Sequence, residues 1–223
     1  MNSDDADLLD HLEVRVLAVL AEKEAATPDN YPLSLNALVN GCNQLTNRDP
    51  VMALTEAGVQ DVLDRLASRK LVTEVSQAGA RVRKYEHRLR LKFTLEQDKL
   101  AALVTLMLRG AQTLAEIRVR SERLHPFAAT EQVETALQFL MDKYPPLVAK
   151  LARAHGIKEP RYAHLLAGAE DIAQSEAAQD PRTLNRMMGT SDRLTNLESE
   201  VAALRESVDA ITQQFADFKK QFD

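Results

Sequence analysis

The sequence has no tryptophan, one cysteine, seven glycines and few aromatic residues among its 223 positions. Each scarcity excludes something. A lone Cys42 cannot form an internal disulfide, which fits a reducing, cytoplasmic setting. With one cysteine and five scattered histidines there is no ligand set for zinc, and no metal site is expected. Seven glycines leave little material for a phosphate-cradling backbone loop, and no G-x-S-x-G, glycine-rich phosphate loop or HExxH string occurs. No window approaches the roughly 18 uninterrupted apolar residues that a membrane span requires. The opening MNSDDADLLDHLEV is acidic and has no basic flank before an apolar run, so no secretory signal is expected. The chain is therefore read as a soluble globular protein with cores of Leu, Val and Ala, without catalytic residues and without a cofactor.

Charge is present but unevenly placed. The net charge of −5 is unlike the basic excess of most DNA binders. Residues 1–93 hold twelve basic against fourteen acidic side chains, and 94–167 hold ten against eight. Residues 168–223 hold six against eleven, so most of the acidity lies at the C-terminal end.

Two segments answer each other at an offset of about 74 residues. TEAGVQDVLDRLASRKLV, from Thr55, places Val59, Val62, Leu63 and Leu66 at i, i+3, i+4 and i+7, the core stripe of a helix. TEQVETALQFLMDKYPPLV, from Thr130, does the same with Val133, Ala136, Leu137 and Leu140. Thr55 and Thr130 are expected N-caps. Strand-like runs follow at Leu71–Val75 and Leu147–Leu151. Upstream, His11–Ala25 carries a stripe through Leu12, Val16, Val19 and Leu20. Its counterpart is Thr94–Arg109, opened by Thr94 and Gln97 in capping-box spacing and closed by Gly110. Short second helices are expected over Ser34–Gln44 and Thr113–Leu124. Each half then ends in two strands, the first pair around SQAGA and the second around AHGIKEP.

Three helices and a β-hairpin, twice, is the winged helix-turn-helix plan. The fold class is therefore mainly α with small β-hairpins, an α+β arrangement. Two tandem winged domains, 1–93 and 94–167, are followed by a linker over 168–190 and a coiled-coil helix over 191–223. In that helix Leu194, Leu197, Val201, Leu204, Val208, Ile211, Phe215, Phe218 and Phe222 alternate at spacings of three and four. This heptad seam predicts a parallel homodimer, and fold-back onto the winged domains is the alternative.

Candidate binding residues fall in two places. The polar knot in SLNALVNGCNQLTNRDPV offers Asn43, Gln44, Asn47 and Arg48. These could bond base edges or phosphates, or they could serve a turn, with Asn47 and Asp49 in an Asx-turn and Arg48 paired to Asp49 or Glu56. The basic first wing, ARVRKYEHRLRLK, offers Arg81, Arg83, Lys84 and Arg88, with Arg90 beside them. It could grip phosphate, or it could be an edge strand charged against aggregation. Arg118, Arg120 and Arg123 form a smaller basic group on the second helix of the second half. The outward face of Thr55–Arg69 carries Glu56, Gln60, Asp61, Asp64, Arg65 and Ser68, with Asp61–Arg65 as a surface pair. That face is ill suited to phosphate. Cys42 lies on the apolar stripe of its helix and is read as a buried structural thiol.

The segment LEVRVLAVLAEKEAATPDNYPLSLNALVNGCNQLTNRDPVMALTE closely resembles the opening of the bacterial YceH-type family. The likeness continues through VQDVLDRLASRKLV, LRGAQTLAEIRVRSERLHPF and the terminal heptads, so it spans nearly the whole chain. The strings PLSLNAL, CNQ and NRDPV are distinctive. This resemblance implies a tandem winged-helix fold in the bacterial cytoplasm. It brings no activity, ligand or partner, because the family's role is unassigned. Two functional expectations follow. One is a dimeric DNA-binding or DNA-associated regulator that contacts double-stranded DNA. The other is a protein-interaction adaptor that uses the winged shape without DNA. They differ in charge topology: basic residues converging away from Glu56, Asp61 and Asp64 favour DNA, and intermixing favours the adaptor.

Overall fold

The computed structural model describes residues 8–75, 82–151 and 159–168. By its contacts the chain divides into two units, 1–172 and 173–223, and every described residue lies in the first. The heptad residues Leu194 to Phe222, and Arg81, lie outside the described residues.

The elements run α1 (His11–Ala26), β1 (Leu33–Ser34), α2 (Leu35–Cys42), α3 (Glu56–Ser68), β2 (Val72–Val75), β3 (Lys84–His87), α4 (Leu89–Phe93), α5 (Gln97–Arg109), α6 (Leu114–Arg120), α7 (Thr130–Met141), β4 (Val148–Lys150) and β5 (Tyr162–His164). The class is mainly helical with two small antiparallel sheets. The order helix, helix, helix, strand, strand occurs twice. β1 joins the first sheet in the order β1-β3-β2, with Leu33 opposite Tyr85 and Val72 opposite His87. In the second sheet Val148 faces His164, and Gln112 bridges to Tyr162. The repeat is therefore deeper than the helices alone indicate. In each half the residues just before the second helix pair with the last strand, at a buried tyrosine.

Local chemistry explains most helix ends. Asp10 caps α1 by accepting from the Glu13 N–H, and Glu13 reciprocates. Ser34 caps α2, Thr55 caps α3 by accepting from the Gly58 N–H, and Thr113 forms a capping box with Glu116. Two expected caps are not formed. Thr94 lies in the left-handed region at the end of α4, and α5 starts from Glu96 without a side-chain cap. The Gln97 side chain instead bonds the Leu124 carbonyl and accepts from Arg90. Thr130 falls inside the first turn of α7, with Ala129 at the cap position. The offset of 74 residues that aligns Val59 with Val133 aligns Thr55 with Ala129.

The basic strand is also shorter than expected. β3 ends at His87, and Arg88 and Arg90 belong to the start and body of the short α4. The alternating RLRLK reads as strand, but tertiary bonds wind it. Arg88 Nε donates to Thr73 Oγ1 at 2.7 Å, and Arg90 Nε to Glu24 at 3.1 Å.

Packing centres on two helices. α1 lies against α2, α3 and α5, and α5 lies against α7. Glu13 to Ala21 and Leu100 to Leu108 are buried without a break, so each helix is enclosed on every side. By contrast α3 and α7 bury the four residues read from their stripes and leave the rest exposed or half-buried. Buried side chains of both halves form one continuous apolar cluster.

Polar residues of α1 fasten its ends. Glu13 accepts from Arg65 and Arg69 of α3 at 3.2 and 3.0 Å, and Asp10 takes Arg65 at 2.7 Å. Arg65 is thus committed to α1, where the sequence suggested Asp61. At the other end Glu24 receives His87 Nε2 at 3.2 Å, while His87 Nδ1 accepts the Leu89 N–H. A ring nitrogen that accepts carries no proton, so this geometry assigns the imidazole proton to Nε2.

α2 approaches α1 closely at Gly41. A β-carbon there would stand 2.6 Å from Cγ1 of buried Val19, a short branched side chain with nowhere to move. Gly41→Ala is expected to lower stability by about 1–3 kcal/mol through overpacking. A urea midpoint unchanged from the parent chain would show that the helices can separate at no cost.

Candidate functional site

The polar turn after α2 is built around two buried guanidinium groups. Asn43, at the end of α2, closes the loop at its far side. Its Oδ1 accepts the Leu54 N–H at 2.7 Å and its Nδ2 donates to the Leu54 carbonyl at 2.8 Å, imitating a strand pair. Asn47 takes a left-handed backbone conformation (φ 63°), which asparagine tolerates better than most residues.

Arg48 fills the turn from inside. Nη1 and Nη2 grip the Glu22 carboxylate at 3.1 and 2.6 Å. Nε donates to the Gly41 carbonyl, Nη1 also to the Asn47 carbonyl, and Nη2 also to Gln44 Oε1. A guanidinium has five N–H groups, and these five bonds use them all. The Arg48 side chain has no exposed surface. Its principal partner, Glu22 on α1, is neither residue suggested by the sequence.

Arg15 of α1 sits behind the same loop, 1% exposed. It donates to the Cys42 carbonyl at 3.2 Å and to the Pro50 carbonyl at 2.6 Å. Those bonds satisfy the end of α2 and the end of the turn together. Burial, and then repulsion from Arg48, hold the Arg15 guanidinium below its ordinary range. Burial also pushes the Cys42 thiol up to about 12, so the thiolate needed for nucleophilic attack does not form near neutrality. The turn reaches the second half as well. The Asp49 N–H donates to the Leu108 carbonyl at 2.8 Å, and Asn47 Oδ1 accepts from Arg109 at 2.5 Å.

The basic strand is arranged differently. Lys84 is half-buried on β3, paired with Ser34 on one side and Val75 on the other. Arg88 is turned onto Thr73. The Arg83 side chain is 72% exposed and stands 3.6 Å from the Glu74 carboxylate. With Tyr85 it borders a groove whose other wall carries Glu56 and Gln60, and the Tyr85 hydroxyl donates to Gln60 Oε1. Basic and acidic groups are intermixed at this edge. The structure thus ties Gln44 and Asn47, both exposed, to buried Arg48, and turns Asn43 separately onto Leu54. It leaves Arg83 as the exposed arginine of the basic segment among the described residues.

Sequence inspection missed Arg15, Glu22 and Arg109 as parts of this network. Their spacing on α1 and α5 shows ordinary helical charges, and only burial reveals their partners. No helix among the described residues is long and apolar enough to cross a membrane. Among the same residues no three metal-ligating side chains come together.

The family model described as a protein of unknown function, DUF480, matches residues 9–157, which span α1 through β4 and contain the whole turn. This chain belongs to the DUF480 family. A UPF0502 protein of Janthinobacterium sp. (strain Marseille) is 61% identical, over 94% of this chain and 89% of the relative. A UPF0502 protein of Herminiimonas arsenicoxydans is 58% identical over 97% of this chain and 91% of its own length. More distantly, a UPF0502 protein of Geobacter sulfurreducens is 45% identical, covering 97% of this chain and 99% of the relative. Membership in DUF480 gives a bacterial family of unknown function and assigns no ligand to the turn.

The Arg48–Glu22 pair gives a direct test of the internal network. Arg48→Ala should cost about 3–5 kcal/mol, because it strands a largely buried carboxylate. Arg48→Ala/Glu22→Ala should cost less than the sum of the two single changes. Strict additivity in urea denaturation would dissolve the proposed coupling.

Proposed function

We propose that this DUF480 protein is a non-enzymatic, cytoplasmic adaptor made of two tandem winged helix-turn-helix units. It docks partner proteins through the acidic outward faces of their third helices, α3 and α7. Supporting the winged-helix reading is the twice-repeated order of three helices and two antiparallel strands. The single observation that favours docking over DNA is how the basic residues are used. Arg48 is spent on Glu22, Arg65 on Asp10 and Glu13, and Arg83 lies among Glu74, Glu56 and Gln60. Beside Arg65, which is exposed but ion-paired, the charged residues that α3 leaves exposed are Glu56, Asp61 and Asp64, and those of α7 are Glu131 and Glu134. A duplex would meet these carboxylates with repulsion, because phosphate contacts dominate affinity. A basic segment of a partner protein meets them with attraction.

DNA binding is the second reading, and exposed Arg83 is the observation that favours it. Fluorescence anisotropy of the full chain with random-sequence duplex separates the two. The adaptor reading expects no saturable binding at low salt, or binding weaker than about 100 µM. Micromolar affinity that falls steeply with salt would overturn it. In that event Arg83→Ala should flatten the log–log salt dependence by about one unit.

The adaptor is further proposed to be a parallel homodimer through the heptad seam from Leu194 to Phe222. Strict a/d spacing with Val at a and Leu at d supports this arrangement. Leu204→Lys places a charge in the middle of the seam and should halve the mass measured by light scattering. A mass that remains at two chains would move the dimer contact to residues outside the seam.

A further inference from the structure

We propose that the cleft between α1, the 44–47 turn, α5 and α6 is a binding site for a phosphorylated small molecule, held by Arg109, Arg120 and Arg123. The cleft has a volume of about 310 Å³, within the range of small-ligand sites. Its walls carry four cationic side chains, Lys23, Arg109, Arg120 and Arg123, against one carboxylate, Glu22. That carboxylate receives two bonds from Arg48 and stands 3.6 Å from Lys23, so it is shared before it reaches the three arginines.

The arginines are positioned more than they are neutralised. Arg109 donates to the neutral amide oxygen of Asn47. Arg120 donates to the neutral amide oxygen of Gln112, and its one ion-pair partner is Glu116 at 3.2 Å. Arg123 has neither a hydrogen bond nor an ion pair among the described residues. Burial, with repulsion from Arg120 next in size, holds the Arg109 guanidinium below its ordinary range. Gathering like charges in a recess costs free energy unless an anion arrives to offset it. Planar N–H forks facing one cavity suit the oxygens of a phosphoryl group.

Charge chooses among oxyanions. Five cations, the four on the walls and Arg48 behind them, stand against the carboxylates of Glu22 and Glu116, which leaves three positive charges at the cleft. A single carboxylate supplies one negative charge, while a phosphate monoester supplies about 1.5 to 2 and a diphosphate more. The recess lies between elements of the two halves, so the ligand would bridge α1 and its turn to α5 and α6. None of this depends on the acidic faces of α3 and α7, and the two proposals stand or fall separately.

The test is calorimetric titration of the full-length protein with sodium pyrophosphate at fixed ionic strength, with melting curves alongside. Saturable binding with a ligand-dependent rise in melting temperature is expected. Arg123→Ala should weaken that binding about tenfold or more, since it removes a charge-assisted fork. Because Arg123 has no hydrogen-bond or ion-pair partner among the described residues, the variant should melt with the parent when ligand is absent. Arg118→Ala, on α6 with Arg120 but outside the cleft, should bind as the parent does. Absence of saturable binding overturns the site, and so does equal weakening by Arg118→Ala. Citrate binding as tight as pyrophosphate would overturn the phosphate assignment. Displacement of pyrophosphate by random-sequence duplex at equal phosphate concentration would overturn the small-molecule assignment and give the arginines to nucleic acid.

Discussion

The contact of Arg48 with Glu22 lies where α1, α2, the polar turn and α5 meet. α1 is enclosed on all sides, yet it carries Glu13, Arg15, Glu22 and Glu24. A helix can be sunk into a core with charges on it only if each charge finds a partner there. Each does, and each partner belongs to a different element: α3 for Glu13, the ends of α2 and the turn for Arg15, Arg48 for Glu22, β3 and α4 for Glu24. A buried pair of this kind adds little net stability over an apolar substitute, but breaking it is costly. Its contribution is therefore geometric: it fixes which surfaces meet α1 and in what register.

The two halves solve the same packing problem with different chemistry. In the first, the long connection from α2 to α3 is filled by guanidinium groups and the amides of Asn43 and Gln44. In the second, the connection from α6 to α7 is shorter and is filled by buried Phe127 with His125 edge-on at 4.7 Å and buried Ser121. The repeat thus survives in the order of elements and in the apolar stripes of α3 and α7. The polar turn belongs to one half alone, and it leans on the other through Leu108 and Arg109.

What could be read from the sequence follows from how each segment is buried. α3 and α7 are buried on one face, so Val59, Val62, Leu63 and Leu66, with their counterparts, betray the helix and its orientation. α1 and α5 are buried all round, and no stripe announces that. Glu13 and Arg15 look like solvent-facing charges, and only the tertiary partners make them internal. α4 is hidden because RLRLKF alternates like a strand, and its winding draws on Thr73 and Glu24, earlier in the chain, as well as on nearby Gln97. Thr94 and Gln97 have the spacing of a capping box, but tertiary bonds to Arg90 and Leu124 take Gln97 away from it. The residues of the turn were legible as a group, while their role was not, because a polar knot that binds and one that braces share a composition.

That distinction bears on function through charge accounting. The polar turn engages Arg15 and Arg48, and α1 engages Arg65 of α3 and Arg69 just past its end. These bonds consume Glu22, Glu13 and Asp10 along with the arginines, so what changes is less the sum of charge than its placement, and the charges on α3 left without an ion pair among the described residues are Glu56, Asp61 and Asp64. In the second half the opposite holds. Glu22 is shared between Arg48 and Lys23, and one carboxylate does not balance Arg109, Arg120 and Arg123 across the cleft as well. The ion pairs of α1 thus accompany an acidic face on α3 and a cationic recess between α1, α5 and α6. The polarity of the molecule is a consequence of how its core is held, and not of its net charge.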